Sequence, residues 1–82
     1  MEILSDERKV LALLIHAESM DTIIRETGLQ AKVALDIVRN LVHYGYVKLT
    51  DTEGKPVSMF SPDKLKAVRF MLSAKGFDVL EE

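Results

Sequence analysis

Apolar residues recur at three- and four-residue spacing along the first half of the chain, which is the spacing of one face of an α-helix. The pattern predicts a first helix over about residues 6–17 and a short second helix that begins after Ser19 and ends at Thr27. A third helix is predicted over about residues 31–44. Its apolar stripe, the pattern of a buried face, consists of Ala34, Ile37, Val38 and Leu41.

The period of the pattern changes after the third helix. Residues 46–50 alternate between apolar and polar and are rich in strand formers, so they predict a strand. Residues 51–55 predict a turn, because Gly54 can take a positive φ, and residues 56–60 predict the returning strand of a β-hairpin.

The last part of the chain predicts a fourth helix over about residues 61–75. Ser61, Pro62 and Asp63 form a typical helix start, and Gly76 would close the helix. The predicted fold is therefore mainly α with a small β-hairpin, an α+β class in the order α-α-α-β-β-α. Residues 1–60 would form the main body, and residues 61–82 would form a C-terminal helix and tail of the same single domain.

The first two-thirds of the chain resembles the winged helix-turn-helix of prokaryotic transcription regulators of the MarR or ArsR kind. The residues that carry this resemblance are Met20 to Leu29, Val38 and Leu41, and then Tyr44-Gly45-Tyr46-Val47. The resemblance implies a DNA-binding regulator whose third helix enters the major groove, with a wing over about residues 46–60 on the DNA backbone.

The outer face of the third helix is the candidate DNA-reading surface. Together with the wing, the predicted DNA-binding residues are Gln30, Lys32, Asp36, Arg39, Asn40, His43, Lys48 and Lys55. Arginine and lysine can reach guanine, and asparagine and glutamine can pair with adenine. The alternative is that Lys32, Asp36 and Arg39 form ion pairs within the helix and merely solvate its surface.

The predicted fourth helix would be apolar on two sides, so it needs a second partner besides its own domain. We expect a homodimer, because symmetric pairs are the commonest oligomers. The predicted interface consists of Leu65, Ala67, Phe70, Met71 and Ala74. The alternative is that the tail folds back over this side through Phe77, Val79 and Leu80.

Charge and composition reduce the number of functional classes that the chain could belong to. The 82-residue chain has a net charge of −2, but residues 32–75 hold eight bases and four acids, which favours a locally basic surface. There is no cysteine, and the two histidines lie on different predicted helices, so we expect no metal, no cofactor and no catalytic site. We also expect no membrane segment and a cytoplasmic location.

Two other functions fit the same residues. A winged helix can serve as a protein–protein interaction module in an adaptor or complex subunit, and Val33, Leu35 and Val42 flank the polar face as such a role requires. A ligand sensor would hold a small molecule in a dimer groove near Phe70 and Met71, although no residue identifies the effector.

Overall fold

A computed structural model of the chain describes residues 5–57 and 67–81. The elements, in chain order, are α1 (Ser5–Leu13), α2 (Met20–Thr27), α3 (Ala31–His43), β1 (Val47–Asp51), β2 (Pro56–Val57), β3 (Val68–Leu72) and α4 (Ala74–Leu80). Within the described ranges there are thus four helices and three strands, so the predicted α+β class is confirmed.

The turn between α2 and α3 follows from local chemistry. The Ser19 hydroxyl caps α2 by accepting a hydrogen bond from the Thr22 amide (3.2 Å). At the other end, Gly28 takes a φ of 72° and donates its amide to the Ile24 carbonyl. A left-handed residue at this point is what a tight helix end requires, and glycine adopts it without strain. The predicted bounds of α2 and its glycine end are confirmed.

The strands form one antiparallel sheet in the order β2-β1-β3. β1 lies in the centre and pairs with β3 over its whole length, with Val47 opposite Leu72 and Leu49 opposite Phe70. The pairing with β2 is shorter and matches Leu49 with Val57. The predicted hairpin of β1 and β2 is present, but most of the pairing of β1 is with β3.

The predicted fourth helix is wrong over residues 68–72, where the chain forms β3, and its start at Ser61 lies outside the described residues. Val68, Phe70 and Leu72 point into the core and the residues between them do not, so the segment alternates as a strand does. The helix begins only at Ala74, and Gly76 lies inside it instead of closing it.

Hydrogen bonds to β3 also explain why α1 ends at Leu13, four residues before the predicted end. The Leu14 carbonyl accepts from the Leu72 amide (2.8 Å), and Glu18 and Phe70 exchange both backbone hydrogen bonds (2.9 and 2.8 Å). These backbone groups serve the sheet and are not available to continue the helix.

One core lies between α1, α2, α3 and the inner face of the sheet. The largest side chains that are fully buried in it are Phe70, Leu11, Leu14, Ile23, Leu41, Leu72, Val10 and Val38. None of the described helices has the length and apolar character needed to cross a membrane.

Candidate nucleic-acid interface

Helix α3 divides cleanly into a buried and an exposed face. Ala34, Val38 and Leu41 are completely buried. The residues on the opposite side fall within an arc of about 100° around the helix axis, since successive residues of an α-helix are rotated by about 100°. Its exposed residues are Lys32, Asp36, Arg39, Asn40 and His43. The structure therefore places all five sequence-predicted residues of α3 on one solvent-facing surface, here called the polar face.

Four of these residues come together around an open groove. Asp36, Arg39, Asn40 and His43 line it, and its volume is about 560 Å³. Gln30 stands at the opposite end of the helix as its N-terminal cap residue, and its side chain makes no capping hydrogen bond. Its amide can therefore bind elsewhere, and it lies at the end of α3 that follows the turn from α2.

The charged residues of the polar face are not used within the helix. Among the described residues, Lys32, Asp36 and Arg39 form no ion pair with one another; the one salt bridge found there joins Lys55 to Glu53. The alternative prediction, that these charges pair along α3, is therefore not what the structure contains. The charged groups of these three side chains face water, where they can bind a ligand.

The wing carries the other two predicted cations. Lys48 is exposed on the outer face of β1, opposite Met71 of β3. Lys55 lies at the hairpin tip, 3.5 Å from the Glu53 carboxylate, and both side chains are more than 70% exposed (74% and 72%). Pairs as exposed as this contribute little and exchange readily with other partners. The wing thus offers one unpaired and one loosely paired cation.

Asp51 has a role that the sequence reasoning missed. Its carboxylate accepts hydrogen bonds from the amides of Glu53 (2.8 Å) and Lys55 (2.9 Å), and its own amide donates to the Lys55 carbonyl. Gly54 completes the turn with a φ of 85°. An aspartate that starts a turn commonly binds amides further along in this way, and this was the available signal. Asp51 therefore shapes the wing tip.

The predicted dimer interface is not assembled. Phe70 is 0% exposed in the core, so it cannot form an intermolecular contact, and Leu65 lies outside the described residues. Ala67 and Ala74 are exposed on either side of β3, whereas Met71 is half-buried on the outer face of the sheet. The residues share no face because the helix that would align them is a strand. The same burial removes Phe70 from the effector groove that the ligand-sensor hypothesis placed near it.

The tail packs against the core and not over the predicted fourth helix, so the alternative prediction holds only in that its three apolar residues are covered within the chain. Three of its apolar residues are partly buried and pack against the core from α4: Phe77, Val79 and Leu80. Arg8 of α1 donates to the Leu80 carbonyl (3.3 Å), which ties the end of α4 to the first helix.

No family model and no curated protein sequence matches the chain. Solved structures do match. A mutant of ZitR from Lactococcus lactis superposes with a TM-score of 0.76 at 13% identity, over 99% of this chain and 50% of that one. The PcaV transcriptional regulator from Streptomyces coelicolor, in complex with its natural ligand, gives 0.74 at 18% identity, over 95% and 50%. MepR from S. aureus bound to ethidium bromide gives 0.74 at 12% identity, over 99% and 54%.

The chain spans about half the length of these structures. At such low identity the similarity concerns the fold and does not extend to the residues of the site. The chain has the winged-helix fold that these structures share, and the resemblance predicted from its sequence is confirmed at the level of fold.

Proposed function

We propose that the chain is a DNA-binding transcriptional regulator that inserts α3 into the major groove and rests its wing on the DNA backbone, as a homodimer. The observation that carries this proposal is the polar face of α3. It gathers exposed, unpaired hydrogen-bonding side chains on the helix that follows a tight glycine turn. A major groove is wide enough to admit such a helix.

Each residue type on the polar face suits the edge of a base. The guanidinium of Arg39 can donate two hydrogen bonds to guanine, and the amide of Asn40 can pair with adenine. Asp36 can only accept, so it selects a donor such as the cytosine amino group and repels phosphate. The side chains of the polar face therefore support base reading more than simple charge attraction.

The wing supplies backbone contacts. Lys48 and Lys55 are exposed and can neutralise phosphates. Two wing cations per chain give modest affinity, since each phosphate contact adds only about 0.9 to the salt slope. A symmetric dimer would double the number of contacts and place two copies of α3 on two half-sites.

The comparisons support the regulatory part of the proposal. PcaV is named a transcriptional regulator and is bound to its natural ligand, and MepR is bound to ethidium bromide. By analogy, this chain would regulate transcription in the cytoplasm, without catalysing a reaction, in response to a small-molecule effector.

The test is the double variant Lys32→Ala/Arg39→Ala, with Lys9→Ala/Arg25→Ala as the matched control. Both pairs remove two positive charges from exposed positions, the first from the polar face of α3 and the second from α1 and α2. We expect the α3 variant to lose most of its affinity for duplex DNA in an anisotropy titration, because it lacks two of the hydrogen-bond donors that would reach base edges. The control should bind nearly as well as wild type. Equal affinities for wild type and the α3 variant would refute the proposal.

A protein-binding role is the second candidate, favoured by one observation. Val33 is 39% exposed beside the polar face, whereas most apolar residues of α3 are buried or half-buried. Val33→Asp should abolish capture of a protein partner if this candidate is right. If the chain reads DNA, Val33 would instead contact a thymine methyl group. The same variant would then change the preferred DNA sequence, and no protein partner would be captured by wild type or variant.

A further inference from the structure

Helix α3 ends in a hydrogen-bonded motif that satisfies only part of the backbone at this end. Tyr44 is its C-terminal cap residue, and Gly45 follows with a φ of 82°. The Gly45 amide donates to the Val42 carbonyl (3.0 Å), and the Tyr46 amide donates to the Leu41 carbonyl (2.9 Å). This pair of bonds is the Schellman arrangement, which leaves the carbonyls that come after it without partners from the helix.

The start of α4 provides those partners. The carbonyls of Tyr44, Gly45 and Tyr46 accept, in that order, from the Lys75 ammonium (3.0 Å), the Ser73 hydroxyl (2.6 Å) and the Ser73 amide (3.0 Å). The Ser73 hydroxyl also accepts from the Gly76 amide (3.1 Å), which caps α4. One side chain therefore binds the turn that follows α3 and caps the start of α4. We call Ser73 and Lys75, with the three carbonyls that they bind, the joint.

Charge and packing strengthen the joint. The Lys75 ammonium lies at the C-terminal end of α3, where the helix dipole favours a cation. It also lies 5.0 Å from the centre of the Tyr46 ring, in cation–π contact. Gly76 packs its backbone directly against the Tyr46 carbonyl, which leaves no room for a side chain.

The joint lies next to the end of α3 that carries most of the groove residues. Three of the four groove residues, Arg39, Asn40 and His43, lie within the last five residues of the helix. Helix ends fray when their terminal carbonyls lack partners. The joint holds residues 44–46, which directly follow this end, against the start of α4. We expect this contact to fix the geometry of the groove residues.

We propose that Ser73 and Lys75 are positioning residues of the DNA-reading surface, and that the joint transmits the position of α4 to the end of α3. This proposal rests on the proposed function. It assigns the two residues no contact with DNA: they act through the backbone of residues 44–46.

The experiment uses the full chain with Lys75→Met and Ser73→Ala, each paired with a conservative variant, Lys75→Arg and Ser73→Thr. Lys9→Met removes the same charge from α1 and serves as the control. Affinity for a labelled random-sequence duplex is measured over a range of salt concentrations. Amide hydrogen exchange is measured for residues 44–46 and, as a reporter of global opening, for the buried residues Val10 and Leu11.

We expect Lys75→Met and Ser73→Ala to weaken DNA binding by about tenfold, a typical coupling between linked sites. The salt slope should stay unchanged and exchange should speed up at residues 44–46 without a matching change at Val10. The conservative variants should keep the DNA affinity and the exchange rate of wild type, because Arg and Thr retain the hydrogen-bond donors. Lys9→Met should change neither.

Three results would overturn the proposal. Unchanged exchange at residues 44–46 would show that the joint does not hold this end. A salt slope reduced by about 0.9 in Lys75→Met would mean that Lys75 contacts phosphate directly. Unchanged DNA affinity with faster exchange would show that the end of α3 does not matter for binding. Failure of wild type to bind DNA would refute the proposed function itself, while the exchange data would still test the joint.

Discussion

Substitution of Phe70 by alanine distinguishes the observed strand β3 from the helix that the sequence pattern predicts over the same residues. In the sheet, Phe70 is completely buried, faces Leu49 across the strand pair and exchanges backbone hydrogen bonds with Glu18. In the helix predicted from the sequence, Phe70 and Met71 share one surface stripe and meet a second copy of the chain. The first arrangement makes Phe70 a stability residue, and the second makes it an interface residue.

The expected cost follows from burial. Removing a fully buried phenylalanine ring typically costs about 3–5 kcal/mol, because the ring loses its contacts and leaves a cavity. A domain of 82 residues has a total stability of about 4–12 kcal/mol. Phe70→Ala should therefore remove a large part of this stability. Met71→Ala, its neighbour on the half-buried outer face, should cost about 1 kcal/mol.

Urea unfolding followed by circular dichroism, at two protein concentrations, measures both effects. We expect the midpoint of Phe70→Ala to fall by about 2 M or more, given the shallow denaturant slope of small domains. Met71→Ala serves as the matched control, since it truncates the adjacent side chain of the same strand. Similar costs for the two variants, or a cost below about 1 kcal/mol for Phe70→Ala, would contradict the strand.

Three further substitutions test the local structure by the same unfolding assay. Gly76→Ala would place a methyl group against the Tyr46 carbonyl and 3.1 Å from a methyl of Leu72, so we expect a cost of about 1–3 kcal/mol; a stabilised variant would contradict that contact. Gly28→Ala meets no atom within 4 Å but must hold a φ of 72°, so it should cost about 1–2 kcal/mol from the backbone alone; no loss would mean that the turn relaxes. Ser19→Ala removes the cap of α2 and should cost about 1 kcal/mol, whereas Ser19→Asp should retain most of the stability; equal losses for both would refute the cap.

The parts of the fold that depend on neighbouring residues could be predicted from the sequence. The ends of α2 follow from Ser19 and Gly28, each of which acts within four residues. The division of α3 into a buried and an exposed face follows from its helical spacing, so the exposed position of Lys32, Arg39 and His43 was predictable.

Strand β3 could not be predicted in the same way, because its residues satisfy two patterns. Leu65, Val68 and Leu72 have helical spacing, whereas Val68, Phe70 and Leu72 alternate as a strand does. Pairing with β1, some twenty residues earlier, and with Glu18 decides between them. The β-branched and aromatic content of residues 68–70 was the available signal.

The hydrogen-bond partners of side chains in and near the site also could not be predicted from the sequence. Asp51 is one of the four acids of residues 32–75, and in the structure its carboxylate binds the amides of the wing turn. The joint depends on Ser73 and Lys75 meeting backbone carbonyls from about thirty residues earlier, a contact that local spacing cannot reveal.

The salt dependence of duplex DNA binding by the wild-type chain tests the central claim most directly, with the mass of the complex determined by light scattering. We predict that log affinity falls linearly with log salt, with a slope that reflects at least the two wing cations of each bound copy, about −3.6 for a dimer. Absence of binding at low salt, or an affinity that does not respond to salt, would contradict the proposal that this winged helix reads DNA.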